Sequence, residues 1–210
     1  MLIDESFAGP GLMPPLTWTD EPEDWRLTPD GLVVAPPADT DFWQGTHYGF
    51  RVDRGPRLLA PVSGDFTLET EVAFRPVHQY DQAGLMVRLS PGCWLKTSVE
   101  HEPDGPSRLG VVVTNQGWSD WSTQDFQGDG IALRVTRASG DYTVHALVGG
   151  AWTQLRICRL TEDDGVRQVE AGLYACSPRG AGFRATFRRL TVAGAPGGTG
   201  GALPPATCSL

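Results

Sequence analysis

The stretch "YDQAGLMVRLSPGCWLKTSVE", residues 80–100, sets an amide (Gln82), two cations (Arg88 and Lys96), an indole (Trp94) and a carboxylate (Glu100) within one short span. Two further segments hold similar groups. "DFWQGTHYGF" supplies Asp41, Trp43, Gln44, His47 and Tyr48, and "TNQGWSDWS" supplies Thr114, Asn115, Trp118, Asp120 and Trp121. Flat rings mixed with short polar groups suit sugars, whose C–H faces stack on aromatic rings while their hydroxyls bond to amides and carboxylates. On this reading Trp43, Tyr48, Trp94 and Trp121 provide stacking surfaces, and His47, Gln82, Lys96, Glu100 and Asp120 fix hydroxyls or a carboxylate.

Whether these groups can meet depends on the elements that carry them. Phe66, Leu68, Thr70, Val72 and Phe74 alternate with Thr67, Glu69, Glu71 and Ala73, the two-residue period of a half-buried strand. The same period returns in "QAGLMVRLS", "WLKTSVE", "RLGVVVTN", "IALRVTR", "YTVHALV", "WTQLRICRL", "VEAGLYACS" and "FRATFRRLTV", separated by turn clusters such as Ser90-Pro91-Gly92. About nine strands at this spacing fit a sandwich or barrel. No apolar helical period runs beyond about two turns, which leaves no crossover helix for a parallel sheet, so two antiparallel sheets are expected. Alternation places Ala83, Leu85 and Val87, with Leu95, Thr97 and Val99, on the core face. Gln82, Arg88, Trp94, Lys96 and Glu100 then share the outer surface of one sheet. The competing arrangement is cross-strand ion pairing, Lys96 with Asp81 or Asp120 and Glu100 with Arg88.

A length of 210 residues fits one sandwich domain, expected over 1–191. The segment 192–210 has too few large apolar groups to offset the cost of ordering it and is expected as a flexible tail. A net charge of −8 opposes phosphate backbones and argues against nucleic acid as a partner. The opening "MLIDESFAGPGLMPPL" is acidic where an export signal is basic, and Pro10, Pro14 and Pro15 break it. Neither export nor a membrane span is expected, and the expected location is the cytoplasm. Cys93, Cys158, Cys176 and Cys208 lack the spacing of a metal knuckle and are expected as reduced thiols. No second His or Cys accompanies His47 at ligand spacing, so no metal or cofactor is expected.

Glycoside hydrolysis asks for two carboxyls roughly 5–10 Å apart, one with a raised pKa. Glu69 and Glu71 share a face at about 7 Å, as do Glu100 and Glu102, but Pro103-Asp104-Gly105-Pro106 turns the chain directly after the second pair. A hydrolase or lyase would instead use Glu100 with Asp120 or His47. The sequence contains no Gly-x-Ser-x-Gly elbow, phosphate loop or dinucleotide fingerprint, and no covalent chemistry is assigned.

Asp41-Phe42-Trp43-Gln44 with His47-Tyr48-Gly49, Asp81-Gln82-Ala83-Gly84-Leu85-Met86, Trp94-Leu95-Lys96 with Glu100, Val113-Thr114 and Ser119-Asp120-Trp121-Ser122 form an ordered series over roughly residues 4–190. The series resembles the concanavalin A-like domains of the regulation-of-enolase type, a bacterial and fungal family. The resemblance implies a jelly-roll sandwich of two antiparallel sheets, in a superfamily of lectins, glucanases and lyases that bind ligands on a concave sheet. It also implies a metabolic enzyme as a protein partner. The combined expectation is an all-β, concanavalin A-like jelly-roll sandwich that binds a carbohydrate or similar polyhydroxylated small molecule on one sheet's outer face. The alternatives are a hydrolase or lyase, and a protein-interaction regulator without a small-molecule groove.

Overall fold

In the computed structural model, which describes residues 2–194, the chain forms seventeen strands and no helix. They are β1 Ile3–Glu5, β2 Thr17–Thr19, β3 Asp24–Thr28, β4 Gly31–Ala35, β5 Asp41–Gln44, β6 Arg51–Arg54, β7 Arg57–Val62, β8 Phe66–Arg75, β9 Gln82–Ser90, β10 Cys93–Glu100, β11 Ser107–Asn115, β12 Trp118–Phe126, β13 Gly130–Ala138, β14 Asp141–Val148, β15 Ala151–Arg159, β16 Val169–Cys176 and β17 Arg184–Gly194. One sheet runs β15-β14-β13-β8-β17-β4-β3, with β1 also on β17; the other runs β12-β11-β10-β9-β16-β7-β2. Strands β5 and β6 form a separate hairpin. The two large antiparallel sheets make the jelly-roll sandwich expected from the sequence.

Alternation builds the core between the sheets. Leu68 and Val72 of β8 and Leu133 and Val135 of β13 face Leu85 and Val87 of β9 and Leu95 and Val99 of β10, each strand giving every second side chain to the interior. The nine strands legible in the sequence are β8–β11 and β13–β17. Strands β1–β7 are short, and β12 carries a polar, largely exposed run, so neither group shows a clear apolar period. Residues 192–194 continue β17 rather than starting a tail; 195–210, including Cys208, lie outside the described residues. Among the described residues no helix is long and apolar enough to cross a membrane.

Arg137 falls on the core face of β13, in phase with Leu133 and Val135, and is fully buried. Its guanidinium donates to Asp163 from Nε at 2.7 Å and from the adjacent nitrogen at 2.5 Å, and to the carbonyls of Gly64 and Arg167. Tyr142 donates its hydroxyl to the same carboxylate. Such a pair is tolerable only because nearly every donor is satisfied.

Strand β10 is buried along its whole length, although it belongs to an outer layer of a two-layer sandwich. A strand buried on both faces needs a cover on each. Its second cover is the β5–β6 hairpin, which lays Phe42 and Trp43 over Met86, Trp94, Val112 and Tyr174. Phe42 meets Trp94 and Tyr174 edge to face, with centroids 6.2 and 6.0 Å apart, a favoured aromatic geometry.

Candidate functional site

The hairpin is pinned by polar contacts rather than by sheet pairing. Asp53 accepts a bidentate bond from Arg88 at 2.8 and 2.6 Å, and the Gln44 amide donates to the Ser119 hydroxyl at 2.8 Å. Arg51 donates to the Gly117 carbonyl at 2.5 Å and lies over the Trp118 ring. The turn itself takes left-handed backbone at Gly45, His47 and Gly49. Between this roof and the sheet beneath it lies a cavity of about 400 Å³, lined among others by Asp41, Trp43, Tyr48, Gln82, Lys96, Glu100 and Trp121.

Lys96, the only lysine in the chain, rises from β10 into this cavity and is 2% exposed. Its ammonium donates to Gln82 Oε1 at 2.8 Å and to Asp41 Oδ1 at 3.2 Å. An ammonium has three protons, so one remains for the cavity. Burial opposes its charge, but Asp41 and Glu100 outweigh that and hold its pKa above the ordinary value. Gln82 is largely spent on positioning: its oxygen also accepts from Tyr174 at 3.0 Å, and its amide donates to the Tyr80 carbonyl at 3.2 Å.

Glu100 lies two positions beyond Ser98 on the same face of β10 and is 9% exposed. No hydrogen bond reaches its carboxyl among the described residues. Burial pushes its pKa from an ordinary 4.5 to about 7, Asp41 and Glu102 adding to the rise and Lys96 opposing it. The group therefore holds a proton in the folded chain over a range where the unfolded chain has lost it, and stability falls as pH rises from about 4.5 to 7. A shift of this size corresponds to roughly 3 kcal/mol lost above pH 7. Glu100→Gln is expected to recover much of that, raising the midpoint of denaturant unfolding at pH 8 and leaving it almost unchanged at pH 4.5. Equal stabilisation at both pH values would contradict this account.

The structure brings Trp43, Tyr48, Gln82, Lys96, Glu100 and Trp121 to one cavity, with Trp43 and Tyr48 edge to face at 5.4 Å. Three expected residues fall elsewhere. Trp94 does emerge on the same face as Lys96, but it is fully buried beneath Phe42 and donates its N–H to the Pro91 carbonyl at 3.1 Å. Its stacking face is occupied by protein, which corrects its expected role as a ligand platform. Asp120 pairs with Val113 across the sheet, and Val113 points into the main core; directly paired residues share a face. The Asp120 carboxylate accordingly turns to the sheet edge and meets Arg156 of β15 at 2.9 Å, away from Glu100. His47 is exposed in the hairpin turn against Tyr48 and borders a second, shallower depression beside Trp118, not the cavity that holds Glu100. The expected catalytic pairings of Glu100 with Asp120 or His47 are therefore not assembled.

The ion pairs differ from the expected ones as well. Lys96 meets Asp41, and Arg88 meets Asp53, both carboxylates coming from the hairpin rather than from neighbouring strands. Asp81 is buried as an anchor, its carboxylate accepting from the amides of Val77 and His78 and from the Ser177 hydroxyl. Strand parity could not reveal Asp39, Arg54, Tyr80 or Arg179, which line the cavity from loops and a hairpin edge. Gly110 is another silent contributor: a Cβ there would sit 2.8 Å from the Trp121 ring nitrogen, so its absence lets the indole lie against the sheet.

The sandwich of two large antiparallel sheets places the chain in the concanavalin A-like, jelly-roll class. Residues 18–195 match the family model described as Protein of unknown function, DUF1349, and the chain belongs to that family. It is 32% identical over 179 residues to Regulation of enolase protein 1 of Saccharomyces cerevisiae, covering 84% of this chain and 88% of that protein. A crystal structure of a functionally unknown protein from Saccharomyces cerevisiae superposes with a TM-score of 0.79 at 31% identity, covering 87% of this chain and 97% of that one. The GH43 protein BlXynB of Bacillus licheniformis superposes with a TM-score of 0.72 at 17% identity over 90% of this chain, but only 38% of its own length is covered. That last likeness is one of fold.

Proposed function

We propose that the domain binds a carbohydrate or similar polyhydroxylated small molecule in the cavity between the β5–β6 hairpin and the sheet it covers. Glu100 carries the proposal: a carboxyl kept buried without a partner beside a solvated pocket destabilises the fold, and such residues are retained where they meet a ligand. With the spare proton of Lys96 it offers a donor and an acceptor, while Trp43, Tyr48 and Trp121 supply the rings on which a sugar face stacks. Binding without covalent chemistry is the reading favoured here, because the carboxyl pairings expected for a hydrolase are not assembled. Among the described residues Cys93, Cys158 and Cys176 are unpaired, which fits a reducing compartment such as the cytoplasm.

The test is a glycan array followed by titration of tryptophan emission with the monosaccharides that bind. Removing one stacking ring costs about 1.4 kcal/mol, so Trp121→Ala should weaken binding about tenfold with little change in melting temperature. Silence across the panel, or unaltered affinity in Trp121→Ala, would remove the proposal.

A second reading is favoured by the printed name of the yeast relative: the domain regulates a metabolic enzyme, with Tyr48 and Phe50, 53% and 44% exposed, available on the hairpin. Ligand and partner would then share one element. Binding to enolase measured with and without the sugar tests this, and identical absence of binding in both would dismiss it.

A further inference from the structure

We propose that the ligand of this cavity carries an anionic group, a carboxylate or a phosphate, clamped by Arg54 and Arg179; the proposal rests on the polyol-binding reading and specifies its substrate class. Both arginines are exposed residues lining the cavity. Most arginines of this acidic chain are paired with carboxylates, but among the described residues neither of these two is. Each is instead held in place by a neutral group. Arg54 donates to the Asp39 carbonyl at 2.7 Å, and the Arg179 guanidinium lies 5.5 Å from the centroid of the Tyr80 ring.

The backbone that presents those neutral groups is itself unusual. Asp39 and Tyr80 both have left-handed φ, 60° and 71°, a conformation that is an outlier for an aromatic residue. Strain of this kind persists only where surrounding structure enforces it, and it gathers at binding sites. Tyr80 is fixed by the hydrogen bond its backbone N–H donates to the His101 carbonyl at 2.8 Å and by the one its carbonyl accepts from Gln82. The result is two guanidinium groups at the cavity wall, one tethered by a hydrogen bond and the other resting against a ring, with the Lys96 ammonium on the cavity floor. Planar forks match carboxylate and phosphate oxygens in pairs, which a neutral sugar cannot exploit. Of the nearby carboxylates, Asp41 is taken by Lys96, Glu100 lies on the floor, and the exposed Asp39 offers Arg54 its carbonyl.

The experiment titrates the full chain with glucose, glucuronate, glucose 6-phosphate and inorganic phosphate, in wild type and in R54Q/R179Q. The anionic sugars are expected to bind at least tenfold more tightly than glucose, and the double variant should lose that advantage while its glucose affinity stays unchanged. Whichever of glucuronate and glucose 6-phosphate binds more tightly identifies the anion. Equal affinity for glucose and both anionic sugars, or a preference that survives in R54Q/R179Q, overturns the clamp. Inorganic phosphate binding as tightly as glucose 6-phosphate would keep the clamp and overturn the polyol reading. No response to any probe overturns both.

Discussion

Asp163→Ala is expected to cost about 3–5 kcal/mol of stability, because it leaves the Arg137 guanidinium charged, fully buried and without its counter-ion. At this chain length that is a fall in melting temperature of roughly 10 °C. Burial alone would raise the Asp163 pKa, but hydrogen bonds from Arg137, Tyr142 and the Gly165 amide prevail and hold it below the ordinary value of 3.8. The stability it contributes is therefore present above that value and lost as pH falls through the lowered one. The wild-type domain should show an acid-induced loss of stability that Asp163→Ala lacks. Replacing both partners, as in Arg137→Met with Asp163→Ala, should recover part of the loss. A single variant as stable as wild type would mean that water or another group reaches Arg137.

Lys96→Met should be comparably damaging, for a different reason. Asp41 and Glu100 would then face the same cavity without the cation between them, and the Glu100 pKa, which Lys96 holds down, would climb further above 7. We expect about 3–5 kcal/mol of destabilisation at pH 8 and clearly less at pH 5, where the folded Glu100 is protonated in wild type and variant alike. Adding Asp41→Asn and Glu100→Gln should restore the fold by removing the orphaned charges. It should not restore ligand binding. Melting curves at the two pH values and a sugar titration on the triple variant separate the two roles; recovery of binding together with stability would make Lys96 a purely structural residue.

Much of the sandwich was legible because a two-residue period is a direct record of which face each residue takes. The long strands β8 to β11 and β13 to β17 kept that record, and the face shared by Gln82, Arg88, Trp94, Lys96 and Glu100 followed from it. What parity cannot encode is a second cover. The β5–β6 hairpin reaches β9 and β10 from more than 30 residues away in sequence, turning an open face into a cavity, so Trp94 and Arg88 became packing and anchoring residues. Asp120 was misplaced because β12 has no apolar alternation from which its phase could be read. Asp163 sits in an irregular polar segment that carries no period, although Arg137, on the apolar phase of β13, calls for a buried carboxylate. Tyr80 and Arg179 enter from irregular backbone, where position in space is set by loop closure rather than by any period, and Arg54 enters from the end of the short strand β6.

The most direct test of the account is a crystal of the wild-type domain soaked with whichever probe of the titration binds best. Density is expected under the hairpin, between Lys96 and Glu100, with a ring face on Trp121 or Tyr48. A ligand seated only in the shallow depression beside Trp118, with the cavity around Lys96 left as it is, would contradict it.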